Sequence, residues 1–172
     1  MAAPQGEELQ EIRAHRDRLR EAYLRPRAER SATTVRGIHH LALICADVEE
    51  TIQFYQGFLG FPLVELVENR DYPGSSHFFF DIGNHNLLGF FDFPGYEHPP
   101  FSETIGGVQH LAISVSPEQF SAAKRKFDEA GVSYLGPDRG IEDSVYFRDP
   151  NGLNVELYAE ELGTFNGTRL LD

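Results

Sequence analysis

Residues 37–61, GIHHLALICADVEETIQFYQGFLGF, and residues 107–132, GVQHLAISVSPEQFSAAKRKFDEAGV, decide the fold, because they are two versions of one unit. Each opens on an apolar, strand-like run that contains a histidine and then turns into a helical pattern. The helix starts match physically: Asp47 can cap the first, with Glu50 three residues on, and Ser116 the second, with Pro117 and Gln119 following. Gly60 and Gly131 stand where a left-handed residue would stop each helix. An internal repeat of this kind means that neither copy is built to bury its apolar surfaces alone.

Each copy closes on a hairpin pattern, HFFFDIGNHNLLGFFDF (77–93) and SVYFRDPNGLNVELYAE (144–160), in which GNHN and DPNG are turn sequences between strand-like runs. A further strand near Pro62–Val67 and near Val132–Leu135 joins helix to hairpin. Each copy therefore reads βαβββ. The expected fold is α+β: two such modules side by side in a curved, mostly antiparallel sheet of about eight strands, helices outside and a concave face inside. Residues 1–35 form an N-terminal helical arm, and 36–172 the domain proper. The first module runs about 36–93, the linker 94–106, the second module about 107–161 and a C-terminal tail 162–172. In the arm, Leu9, Ile12, Leu19, Ala22 and Tyr23 recur at roughly helical spacing among charges, which suits either a solvated arm or a contact with a second copy.

Strand alternation separates the side chains. His40, Ala42 and Ile44 share one face of the first strand, and His110, Ala112 and Ser114 the same face of its twin. The Leu, Ile and Val faces call for cover by helices, which turns the histidines to the concavity. In the final strand Glu156 shares a face with Asn154 and Tyr158. His40, His110 and Glu156 thus form a candidate facial triad: two imidazoles and a carboxylate, with coordination positions left over. Nitrogen and oxygen donors suit Fe(II) or Mn(II), with Zn(II) and Ni(II) as further candidates, and Fe(II) is the expected cofactor. Three protein ligands mark a catalytic rather than a structural site. Aligning the two hairpins sets Gly89 opposite Glu156, so the first copy supplies no carboxylate and leaves room for substrate. His39 aligns with Gln109 and is expected to point away from the metal. Phe79, Phe91 and Tyr158 are the expected aromatic lining, and His98, in the linker, a candidate acid/base group.

These motifs resemble those of the vicinal oxygen chelate superfamily, which includes glyoxalase I, extradiol ring-cleaving dioxygenases, fosfomycin-resistance enzymes and bleomycin-resistance proteins. The resemblance spans about Arg36–Glu161 and rests on HLALICADVEETIQFYQGFLGF and YFRDPNGLNVELY. It implies metal ligands at His40, His110 and Glu156. It also implies the loss, at Gly89, of the fourth ligand that glyoxalase I carries. Tyr146, ten residues before Glu156, matches a tyrosine that extradiol dioxygenases keep beside the substrate, while Pro137 stands where their acid/base histidine would be. Three functions stay open: a dioxygenase acting with O2 on a metal-chelating, aromatic small molecule; a redox-neutral lyase, isomerase or transferase; and a ligand-binding protein without chemistry.

The formal charge of −12 argues against nucleic acid as a partner. No apolar run approaches the roughly 20 residues of a membrane span, and the polar N-terminus does not read as a signal peptide. The single cysteine, Cys45, forms no internal disulfide. Cytoplasmic residence and a homodimer are the expectations.

Overall fold

The structure, a computed structural model, describes residues 3–97, 99, 101–136 and 144–171. The chain divides into two compact units, Met1–Arg36 and Gly37–Asp172. The first is a helix, α1 (Gly6–Tyr23), with Glu7 and Glu8 in its first turn and Arg20 in its last, each sign complementing the helix dipole. None of its residues is buried, and a short 3-10 turn follows at Arg27–Glu29.

The second unit carries the duplication. Its first module is β1 (His40–Ile44), α2 (Val48–Ile52), β2 (Leu63–Glu68), β3 (Ser76–Asp81) and β4 (Leu87–Phe91). Its second is β5 (Leu111–Ser114), α3 (Pro117–Ala130), β6 (Ser144–Arg148) and β7 (Asn154–Tyr158). The helix starts are capped as the sequence requires. Asp47 accepts from the Glu50 amide at 2.7 Å, and Ser116 and Gln119 form a reciprocal capping box with Pro117 at the first turn. Gly60 (φ 84°) and Gly131 (φ 66°) end the helices in the left-handed region. One departure is local: α2 widens into a π-helical stretch, Gln53–Leu59, whose end is held by Phe61 N–H donating to Tyr55 O at 2.8 Å.

The expected continuous eight-stranded sheet is not what forms within one chain. The strands split into a four-stranded sheet, β1-β4-β3-β2, and a three-stranded one, β5-β7-β6. A separate hairpin, β8 (Thr164–Phe165) with β9 (Thr168–Arg169), replaces the expected tail. The second module's expected strand near Val132–Leu135 contributes a single bridge, Leu135 to Tyr146. In each sheet the first strand pairs in parallel with the last, and the remaining pairs are antiparallel.

The reason for the split lies in how the modules meet. Phe54, Phe58, Leu59 and Phe61, from the first module's helical side, pack against the buried cluster of Phe120, Phe127, Phe147 and Val155 in the second. Phe58 stacks on Phe127 with ring centroids 5.5 Å apart. At the centre of this contact the buried Tyr55 hydroxyl donates to Asp149 Oδ2 at 3.0 Å. Asp149 Oδ1 also accepts from the backbone amides of Asn151 (2.9 Å) and Leu153 (2.8 Å), and Asn151 Oδ1 accepts from Ala46 N at 2.9 Å. The modules are joined through helices and a turn, and β1 and β5 remain edge strands.

Removing the Asp149 carboxylate strands several buried donors. Asp149→Ala should therefore lower stability by about 3 kcal/mol, and Tyr55→Phe by about 1–2 kcal/mol, in urea unfolding. Burial, and then Asp149, hold the Tyr55 phenol well above its ordinary pKa. The unfolded chain ionises first, so stability is full below the usual tyrosine range and falls as pH rises through it. Tyr55→Phe should flatten that alkaline limb.

Candidate metal centre

Each sheet presents its histidine on the face away from the core. In β1, Leu41 and Leu43 pack inward while His40, Ala42 and Ile44 are exposed. In the second module Leu111 and Ile113 pack inward while His110, Ala112 and Ser114 are exposed. The register reproduces the duplication residue by residue. Ala42 lies opposite Gly89 as Ala112 lies opposite Glu156. Phe79 lies opposite Gly89 as Tyr146 lies opposite Glu156. Even the ring contacts repeat: His40 meets the edge of Phe79, and His110 that of Tyr146, both with centroids 5.8 Å apart. These are two congruent half-sites with different chemistry.

The second half-site is polar. Glu156 is 5% exposed although it lies on the outer face, and its Oε2 sits 3.1 Å from His110 Nε2. His110 Nδ1 hydrogen-bonds the Gln109 side-chain oxygen. That contact leaves Nε2 as the ring nitrogen turned to the carboxylate, and a hydrogen-bonded second ring nitrogen is usual in metal-binding histidines. A buried carboxylate and an imidazole converging on one point fit a divalent cation, since such a carboxylate calls for a counter-charge.

The first half-site is aromatic. Its nitrogen donor is His40, whose Nδ1 lies 3.0 Å from His39 Nδ1, so His39 touches the candidate ligand itself. The ring of His77 on β3 stacks on Phe91 at 3.8 Å and leans on Phe79 at 4.2 Å. Burial, and then the charge of His40, lower the pKa of His77, and its Nε2 is buried without a hydrogen-bond partner. The room expected beside Gly89 is taken by Phe79: a Cβ at position 89 would stand 2.9 Å from Phe79 Cε1. Gly89 is thus the residue that lets the Phe79 ring lie where the twin half-site has its carboxylate.

The structure brings His110 and Glu156 together, with Tyr146 beside them, but not His40. Among the described residues no three His, Cys, Asp or Glu side chains are grouped to hold a metal within one chain. The Tyr158 hydroxyl is engaged by the C-terminal hairpin, accepting from Asn166 N at 2.9 Å. His98 and Pro137 lie outside the described residues. Sequence reasoning missed the hairpin itself, although Asn166-Gly167 between Thr164-Phe165 and Thr168-Arg169 is a two-residue turn signal. It also missed the contacts of Gln109 and His77, which no spacing rule announces. Cys45 is buried, with its thiol pushed up to about 11 mainly by burial. Among the described residues no helix is long and apolar enough to cross a membrane.

Comparison with known proteins places this geometry in a family. The model described as Glyoxalase/Bleomycin resistance protein/Dioxygenase superfamily matches residues 37–157. MhqO of Bacillus subtilis (strain 168), whose name proposes a ring-cleaving dioxygenase, is 30% identical over 135 residues, 76% of this chain. The chain spans only 42% of that relative's length. Glyoxylase I 4 of Arabidopsis thaliana is 30% identical over 124 residues, 70% of this chain and 68% of the relative. A crystal structure from Bacillus subtilis subsp. subtilis str. 168, assigned provisionally as a dioxygenase, superposes with a TM-score of 0.65. It is 29% identical and covers 76% of this chain and 42% of the other.

The Phe79–Gly89 interlock is testable by a double-mutant cycle. Gly89→Ala should cost about 1–3 kcal/mol from overpacking. The same change in a Phe79→Ala background should cost clearly less, read as coupling in urea unfolding.

Proposed function

The chain belongs to the Glyoxalase/Bleomycin resistance protein/Dioxygenase superfamily, and from that premise we propose that it is a mononuclear metal-dependent enzyme assembled from two copies. His110 and Glu156 of one copy and His40 of the other hold one divalent ion, Fe(II) in preference to Mn(II), Zn(II) or Ni(II). The observation that carries this reading is the pair of congruent, outward-facing half-sites. One offers an imidazole with a carboxylate, the other an imidazole with an aromatic wall, and among the described residues neither completes a ligand set in its own chain. β1 and β5 are edge strands of their sheets, so a second copy can pair its β5 beside β1. A cleft of about 580 Å³ lies between β1 and the linker and second module of the same chain, lined by Ala42, Ile44, Phe101, Val108 and Leu153. Exposed apolar side chains on that strand, Ile44 among them, are what such a contact covers.

The substrate class follows from the wall. Phe79, Phe91 and the stacked His77 ring offer flat, apolar faces to an aromatic, oxygen-bearing small molecule, with Gly89 keeping Phe79 in place. Tyr146, across the strand pair from Glu156, is the protic group nearest in register to the ligand pair, and Tyr158, braced by the C-terminal hairpin, closes one end. When bound, the ion supplies Lewis acidity and open positions for substrate oxygens. The protein's own part is to orient the ring and exclude water. The relationship to MhqO favours a ring-cleaving dioxygenase that uses O2. The second reading, a redox-neutral lyase, isomerase or transferase, is favoured by the match to Glyoxylase I 4 over most of that relative's length.

Complementation tests the assembly. His40→Ala and Glu156→Gln chains should each lose bound metal and turnover. Mixed after unfolding and refolding, they should regain one intact site in each mixed dimer, up to a quarter of the wild-type sites overall. No recovery, or a native mass near the chain's own 19.4 kDa rather than about twice that, would sink the shared site. O2 consumption with a panel of catechols and hydroquinones separates the dioxygenase from redox-neutral turnover.

A further inference from the structure

Between the modules, and outside every motif of the repeat, Glu103 makes a contact that reaches the polar half-site. Its Oε1 accepts from the Gln109 side-chain amide, Nε2, at 3.0 Å. Gln109 turns its other end, Oε1, to His110 Nδ1. Asn154 Nδ2 braces the arrangement from β7, donating to Glu103 Oε1 at 3.4 Å and to the Gln109 backbone oxygen at 3.3 Å. Beyond His110, Nε2 meets Glu156 at 3.1 Å.

A side-chain amide has one accepting end and one donating end, and its direction is set by its partners. A carboxylate can only take the donating end. With the Gln109 NH2 group committed to Glu103, only the oxygen is left for His110, and an oxygen accepts. His110 must then donate from Nδ1 in that contact, which turns Nε2 to Glu156; with no ion between them the carboxylate accepts from Nε2–H, and the ion replaces that hydrogen when bound. We infer that Glu103 is a positioning residue: through the Gln109 amide it sets which ring nitrogen of His110 faces Glu156 and the ion.

The first half-site shows what is missing without such a lock. There His39 stands in the place of Gln109, and its Nδ1 lies 3.0 Å from His40 Nδ1. Either imidazole can donate in that contact, so the direction is not imposed. His110 is the preset ligand of the pair and His40 the adaptable one. This rests on the reading of His110 as a ligand, but the amide lock is a property of the metal-free chain and is measured there.

The experiment uses full-length, metal-free protein with 15N-labelled histidine. Wild type should show His110 with a protonated Nδ1. Glu103→Ala should lose that signature, because the Gln109 amide is then free to turn. Glu103→Gln should keep it, because the glutamine oxygen can still accept from Gln109. The same three proteins are titrated with Mn2+. Glu103→Ala should bind at least about 10-fold more weakly, the effect typical of losing a group that orients a ligand, and Glu103→Gln within a few-fold of wild type. Thermal unfolding that matches wild type excludes general damage, and Glu103 is exposed. An unchanged Nδ1 signature in Glu103→Ala overturns the inference, as does equal Mn2+ affinity in all three proteins. Failure of wild type to bind any divalent ion would instead overturn the metal reading, and the Nδ1 signature would still decide the role of Glu103.

Discussion

The buried bond from the Tyr55 hydroxyl to the Asp149 carboxylate is the constraint on which the arrangement turns. It fastens the helical side of one module to a turn of the other, inside an aromatic contact made by Phe54, Phe58, Phe127 and Phe147. A carboxylate this deep is tolerated only because four donors converge on it. Among the described residues, no three ligating side chains come together in the joined modules. β1 and β5 are left as edge strands of their sheets, with His40 on one and His110 beside the other.

That placement explains the exposure pattern of the site. An isolated strand face with a histidine, an alanine and a half-exposed isoleucine gains nothing from standing in water. The small residues Ala42 and Ala112 keep each face shallow next to its histidine. The two half-sites then divide the labour unequally. Glu156, Gln109 and Tyr146 surround His110 with polar groups, while Phe79, Phe91 and the His77 ring surround His40 with flat hydrocarbon. One half therefore presents polar donors and the other flat ring faces.

Much of this was legible in the chain. The alternation in HLALI and HLAIS assigned both strand faces, and Asp47, Ser116, Gly60 and Gly131 gave the helix ends. The alignment of Gly89 with Glu156 is matched by the strand register. What stayed hidden has a physical pattern. Periodicity says which face of an element is covered, but not by which module, so the split of the sheet could not be read. A run such as HFFFD has too many rings for alternation to say which one fills a neighbour's space, and so the glycine opposite looked like a void. Side-chain amides and imidazoles have two usable ends, and their direction depends on partners remote in sequence, as Gln109 depends on Glu103.

The asymmetry between the copies also bears on how one ancestral unit could serve two ends. Equivalent positions carry Glu156 and Gly89, Tyr146 and Phe79, Gln109 and His39. Gly89 and Phe79 lack the polar groups of their twins, and His39 lacks the separate donor and acceptor ends of Gln109. The differences are interlocked rather than independent: Phe79 needs the missing Cβ of Gly89, while His110 needs both the Gln109 oxygen and the Glu156 carboxylate in place. Exchanging one residue across the repeat would therefore not transplant a ligand. A carboxylate at position 89 would first have to displace the Phe79 ring, and would reach His40 only with the aromatic wall dismantled.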